Sequence, residues 1–297
     1  MGLGGISAAA GSRLESRWSH LVLSYISRVL NPLSLGTLRL ALIGALFALG
    51  GCASESSVSE GSGVEWVSHP RTERVTHLVL HHTAASTEVS LRVLTGHDPG
   101  HRVSAHYLVT DEPVPRVLLL IPENRVAYHA GKSAWRGREG LNACSIGIEI
   151  VNADGDRQDY PPAQVEAVAK LVAELAVRHG IEARNIVAHA EIAPDRKSDP
   201  GRRFPWERLY REHGLGCWPS PALMALLEQE SAPSPETLAT MLREWGYRVD
   251  DTDRFAQDAS VRLALLAFQR RYRPEKVDGL ADAETVARLR ALLAARP

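Results

Sequence analysis

The chain's 297 residues, 44% hydrophobic and 23% charged, suit one large globular domain with a smaller one beside it. Its 34 basic and 35 acidic side chains leave a formal net charge of -1, so no global field draws it to nucleic acid and no such partner is expected. Three scattered cysteines, none in a CxxC pair, exclude a disulfide framework and a cysteine-built structural zinc site.

In chain order, the first signal is the apolar run Leu40 to Leu49 behind Arg39, followed by Gly50, Gly51 and Cys52. Ten residues rise only about 15 Å as helix, half the hydrocarbon thickness of a bilayer, so the run is too short to span and reads as a signal-peptide core. The tetrad Leu49-Gly50-Gly51-Cys52 resembles the lipobox of bacterial lipoproteins. That resemblance implies lipidation of Cys52 and attachment to a membrane through the added acyl chains. The competing readings are an unmodified Cys52 thiol after an ordinary signal, or a short core helix. The stretch before Arg39 is long for a signal n-region, which leaves open a downstream translation start or an extended export signal. Residues 1–52 are thus read as a signal ending at Cys52, and residues 53–64, rich in Ser, Gly and Glu, as a flexible tether.

The folded body is expected over residues 65–230. VTHLVLHH from Val75 is a short apolar run, consistent with a buried strand carrying His81 and His82 at its end. Runs at Ser104 to Val109 and Val114 to Ile121 should pair as neighbours, and Ser145 to Val151 is a fourth strand. A helix is predicted from Pro162 to Arg178, with Val165, Val168, Leu171, Val172 and Leu175 on one face and Gly180 at its end. NIVAHA is a fifth strand with His189 near its C-terminal end. The pattern predicts an α/β fold, a mixed central sheet flanked by helices, with ligands bound at strand ends. After the linker-like SAPSPET, residues 231–297 carry helical patterns at Glu236 to Trp245, Ser260 to Tyr272 and Asp282 to Leu293, a three-helix module with little core of its own.

With twelve histidines, any single one is a weak signal. A lone strand histidine is more often a satisfied structural residue than a ligand. Two histidines at strand ends, His81 and His189, with Asp199 in a polar loop, would however leave a fourth tetrahedral position on zinc open for water, as in catalytic sites.

THLVLHHTAA, SAHYLV, HAGKSAWRG, SIGIEI and IVAHAEIAPDRKSDPGRRFPW together resemble the zinc-dependent N-acetylmuramoyl-L-alanine amidases related to peptidoglycan recognition proteins, and within them the lipoprotein amidases of the Gram-negative outer membrane. The resemblance covers about Val75 to Trp218. It implies Zn2+ held by His81, His189 and Asp199, Glu149 as catalytic base and acid, and Lys197 as the catalytic lysine. It further implies a peptidoglycan or muropeptide substrate and a location on the periplasmic face of the outer membrane. Some relatives place a tyrosine where Ala105 stands, which leaves the base role to Glu149. His82 is not expected to be a ligand.

The chemistry agrees with that assignment. Zinc lowers the pKa of bound water to about 7, a partly buried carboxylate can take the proton, and a lysine can meet the oxyanion. His129, Trp135, Arg136 and Asn142 are expected to line the substrate cleft, with packed-turn roles as the alternative. Cys144 has no setting that would lower its thiol pKa, so nucleophilic catalysis is not expected. Bridging of Cys144 and Cys217 is left open. LALLAFQRRYRPEKVDG and DAETVARL resemble peptidoglycan-binding helical repeats, although a structural extension explains them about as well. Two rivals to the enzyme reading are a wall-binding protein without turnover and a structural anchor with an incidental zinc; the three zinc positions kept with Glu149 and Lys197 argue against the first, since binding alone needs no metal with an open site, and the second leaves the RKSDPG loop unexplained.

Overall fold

The computed structural model describes residues 67–98 and 100–295; Cys52, the apolar segment before it and the tether lie outside them. The chain runs through β1 (Ser68–Pro70), β2 (His77–His82), α1 (Thr87–Leu94), β3 (Tyr107–Val109), β4 (Val117–Leu119) and β5 (Arg125–Ala127). It continues through β6 (Ala134–Trp135), β7 (Arg138–Glu139), β8 (Ser145–Ile150), α2 (Pro162–His179), β9 (Ile186–Ala188) and α3 (His189–Ile192). The remaining helices are α4 (Trp206–His213), α5 (Pro221–Leu227), α6 (Pro235–Trp245), α7 (Arg254–Tyr272) and α8 (Ala283–Ala294).

The main sheet has the order β4-β3-β8-β2-β9. Strands β3, β8, β2 and β9 are parallel, and β4 returns antiparallel on the β3 edge, giving the expected mixed sheet. A parallel sheet covered on both faces favours unbroken apolar runs over alternation. Accordingly Leu78, Val79 and Leu80 of β2 and Ile146 and Ile148 of β8 are wholly buried. Helix α2 covers one face with Val165, Val168, Leu171, Val172 and Leu175, the stripe its 3.6-residue spacing predicts. It stops at Gly180, whose φ of 64° is the left-handed conformation that glycine adopts at little cost.

The edge strands are shorter than the apolar runs in the sequence. Ser104 does not enter β3, because its hydroxyl bonds the Val67 carbonyl and accepts from the Tyr128 amide. Helix α7 begins at Arg254, six residues before the predicted start, because the Asp253 carboxylate accepts the Ala256 amide at 2.9 Å and caps a first turn with no apolar period. Cys144 and Cys217 are both free thiols. Among the described residues no helix is long and apolar enough to cross a membrane.

Helices α6, α7 and α8 do not form a separate core. Leu242, Trp245, Phe268, Tyr272 and Leu289 belong to the same buried cluster as the sheet residues Leu78, Ile146 and Val187. Helix α5 packs Leu227 against Ala287 and Ala291 of α8. The shortfall of core in the C-terminal segment is met by sharing one with the sheet.

Two buried histidines outside the candidate site set an acid limit on this fold. Burial, reinforced by the nearby Arg136 and Arg138, pushes His77 down to about 4. Burial does the same to His106, whose Nδ1 accepts the Gly147 amide at 2.9 Å. Below the unfolded value of about 6.5, the unfolded chain binds protons that the folded chain refuses, so stability falls as pH drops toward 4. The thermal unfolding midpoint should therefore decline steeply between pH 6.5 and 4, reflecting a loss of up to about 3 kcal/mol per histidine. A flat midpoint across that window would contradict neutral burial.

Candidate active site

The strand register brings the candidate residues into one row. His81 on β2 pairs with Glu149 on β8, and Leu80 pairs with Ala188 at the end of β9, so His189 follows level with His81. All three stand at the C-terminal edge of parallel strands, where an open α/β sheet offers its ligand sites. The loop after α3 returns Asp199 to this edge, held by the Ala190 amide donating to the Asp199 carbonyl at 2.9 Å.

Three side-chain atoms form a tight triangle. His81 Nδ1 lies 2.9 Å from His189 Nδ1 and 3.2 Å from Asp199 Oδ2, and His189 Nδ1 lies 3.0 Å from the same oxygen. Hydrogen bonds alone fit this triangle poorly: if both imidazoles donate to Asp199, two N–H groups face each other across the short nitrogen pair. Tetrahedral ligands at about 2.0–2.1 Å from zinc stand about 3.3–3.4 Å apart, close to the observed edges. The donor set of two imidazoles and one carboxylate therefore fits a small divalent cation.

The electrostatics point the same way. Burial, with repulsion from His189, pushes His81 down to about 4, so its ring is neutral and free to ligate. Burial alone would raise Asp199, but hydrogen bonds from His189 and His81 hold it well below the usual carboxylate range. Burial, with the Asp199 charge adding and Lys197 opposing, pushes Glu149 up to about 8. Its buried Oε2 has no hydrogen-bond partner among the described residues. Lys197 is exposed and, with Glu149, His81, His189 and Asp199, lines a cavity of about 600 Å³ that extends toward α1.

His129 reaches the site from a loop and lines the same cavity. Its Nδ1 lies 3.0 Å from His81 Nε2 and its Nε2 lies 3.1 Å from the Ser145 hydroxyl, which donates to the Leu141 carbonyl at 2.6 Å. With a cation in place of the hydrogen bonds at the triangle, His81 Nδ1 would be a ligand, and Nε2 would carry the proton and donate to His129 Nδ1, which would fix the direction of the whole chain. Gly147 makes room for this ring: a Cβ there would sit 2.4 Å from it.

The other expected cleft residues lie elsewhere. Trp135 is 1% exposed, donates its indole N–H to the Arg184 carbonyl and packs edge-on against Tyr247. Arg136 pairs with Glu182 at 2.6 Å, away from the cavity. Asn142 spends its side-chain oxygen on the amides of His129 and Ala130. None of these three lines that cavity, and the contacts they make are packing and loop-holding ones; a tryptophan in a Gly-rich loop looks the same in sequence whether it faces a ligand or a core. His82 turns Nδ1 to the Pro200 carbonyl, outside the triangle. Sequence reading missed Ser145 and Glu191, since nothing about an isolated serine or glutamate marks what it will face across the fold.

A sheet edge that gathers a triangle able to hold a cation, a carboxylate with a raised pKa and an exposed lysine is the layout of a hydrolase that activates water. Comparison with known proteins identifies the kind. Residues 71–202 match the N-acetylmuramoyl-L-alanine amidase family, and residues 231–289 match a peptidoglycan binding domain family. The chain is 37% identical over 274 residues to the N-acetylmuramoyl-L-alanine amidase AmiD of Escherichia coli K12, covering 85% of this chain and 96% of that protein. It is 39% identical over 108 residues to the 1,6-anhydro-N-acetylmuramyl-L-alanine amidase AmpD of Citrobacter freundii, covering 36% and 56%.

Among solved structures, the fold superposes on E. coli AmiD in complex with anhydro-N-acetylmuramic acid-L-Ala-D-gamma-Glu-L-Lys with a TM-score of 0.67, at 38% identity, covering 74% of this chain and 89% of that one. AmpDh3 of Pseudomonas aeruginosa gives a TM-score of 0.68 at 33% identity, covering 83% and 98%. The chain belongs to the N-acetylmuramoyl-L-alanine amidase family, and it is an amidase of that family.

Proposed function

We propose that the protein hydrolyses the amide between N-acetylmuramic acid and L-alanine in peptidoglycan or its soluble fragments, with zinc held by His81, His189 and Asp199. The observation that carries this reading is the triangle of Nδ1, Nδ1 and Oδ2 atoms at 2.9 to 3.2 Å, set in the same row as Glu149. When bound, the cation supplies Lewis acidity and a water whose pKa falls to about 7.

Glu149 takes the proton of the attacking water on its unpartnered Oε2 and returns it to the leaving L-alanine nitrogen. Its raised pKa suits the return step, and a cation at the triangle would lower that pKa and favour the ionised carboxylate that the first step needs. Lys197 meets the negative charge that develops on the carbonyl oxygen, an effect worth about 3 kcal/mol where one such donor has been removed from other enzymes. His129 holds His81 in the tautomer that leaves Nδ1 free, and the cavity toward α1 has room for a stem peptide.

Around this centre we assign residues 65–230 to catalysis and residues 231–297 to wall binding. Residues 1–52 are assigned to an export signal and 53–64 to the tether. Lipidated Cys52 would hold the enzyme on the periplasmic face of the outer membrane, a place in the cell envelope supported by the Leu49-Gly50-Gly51-Cys52 tetrad. Digestion of anhydro-muropeptides and of purified sacculi, read by mass spectrometry, tests the activity. The expected products are stem peptides with a free L-alanine amino terminus and peptide-free muramyl sugars. Products cut within the peptide or between sugars would overturn the assignment.

A further inference from the structure

The element that carries His189 is held in place from the C-terminal segment. Glu191 lies two residues after His189 in α3, and its carboxylate is completely buried. Its Oε2 accepts the Ala188 amide at 2.9 Å, the amide immediately before His189, and so caps the short helix that presents the imidazole. That same oxygen accepts from Arg271 Nη1 of α7 at 2.6 Å, and Oε1 accepts the Tyr247 hydroxyl at 3.2 Å. Arg271 also donates to the Ile186 carbonyl in β9 at 3.0 Å, and its guanidinium stacks over Trp206 of α4 at 4.0 Å from the ring centroid. With side-chain exposures of 3% and 0%, the Arg271–Glu191 pair has no competing water, and each charge depends on the other.

The docking around this pair is close on both sides. Arg184 donates to the Glu244 and Trp245 carbonyls at 2.8 and 2.7 Å, and a Cβ on Gly246 would sit 2.8 Å from the Trp135 ring. A wall-binding module on a flexible joint needs none of this. We infer that Arg271 and Tyr247 are positioning residues for His189: the segment matched to peptidoglycan binding has the second role of completing the metal centre of the amidase, by fixing Glu191 and through it the backbone that aims the imidazole. The inference rests on the reading of His189 as a metal ligand.

The test uses the full chain and measures zinc affinity by competition with a chromophoric chelator, together with the absorption spectrum of the cobalt-substituted protein. Arg271→Met keeps an unbranched apolar stem beside Trp206 but removes the guanidinium, so Glu191 loses its ionic partner and keeps only the Ala188 amide and the Tyr247 hydroxyl. Loss of such an outer partner should weaken zinc binding by roughly 10–100-fold and alter the cobalt spectrum. Arg271→Met with wild-type zinc affinity and an unchanged spectrum would overturn the inference.

If Arg271→Met does not fold, Tyr247→Phe decides, since it removes one hydroxyl from Glu191 and keeps the ring. A several-fold weaker zinc affinity supports the positioning role, and no change overturns it. Wild-type protein and His189→Ala separate the two readings. Metal bound by the first and not by the second upholds the triangle whatever Arg271 does, whereas no metal in the wild type takes down both.

Discussion

Glu149→Gln will lower kcat for muropeptide hydrolysis by about 10²–10⁴-fold, the range that a lost general base costs, with KM little changed. The substitution is isosteric, so the edge of β8 and its pairing with His81 stay as they are. What disappears is a group that can hold a proton on Oε2, the buried oxygen that no described residue occupies. Zinc content should stay at the wild-type level, because Glu149 is not one of the three triangle residues. Steady-state kinetics with metal analysis on the same sample checks both halves. Activity within a few-fold of wild type would remove Glu149 from the chemistry, and loss of metal together with activity would move it into the ligand set.

Asp199→Ala is expected to have the other large effect, and on a different quantity. Asp199 Oδ2 stands within 3.2 Å of both histidine nitrogens and carries the one negative charge of the triangle. Without it, two imidazoles remain with their Nδ1 atoms 2.9 Å apart and no negative charge to offset a dication. Zinc affinity should fall by more than the roughly 10–100-fold that loss of an outer hydrogen-bond partner causes, and hydrolysis should fall with it. Excess zinc should restore part of the activity here but none of it in Glu149→Gln. Equal behaviour of the two variants under added zinc would mean that base and ligand roles have been misassigned.

Much of this centre was legible in the sequence because its parts sit at strand ends. The apolar runs around His81, Glu149 and His189 read as buried strands, and parallel register does the rest by levelling their last residues. Residues whose role depends on what lies across the fold were opaque. Trp135 reads as a cleft aromatic, but its ring is taken up by Tyr247 and Gly246. His129 reads as a substrate contact, but its two nitrogens are engaged by His81 and Ser145. The buried charge of Arg271 was hidden inside an amphipathic helix, where an arginine normally reads as solvated. Helix starts were missed where a cap, such as Asp253, came before any apolar period.

The central claim is that three side chains far apart in the chain hold one catalytic cation. Its most direct test is to strip the purified protein with a chelator, restore zinc in measured steps, and follow both bound metal and release of stem peptide from anhydro-muropeptides. Activity should vanish in the stripped protein and rise in proportion to bound zinc up to one ion per chain. Full hydrolysis by protein shown to be free of metal would contradict the claim outright.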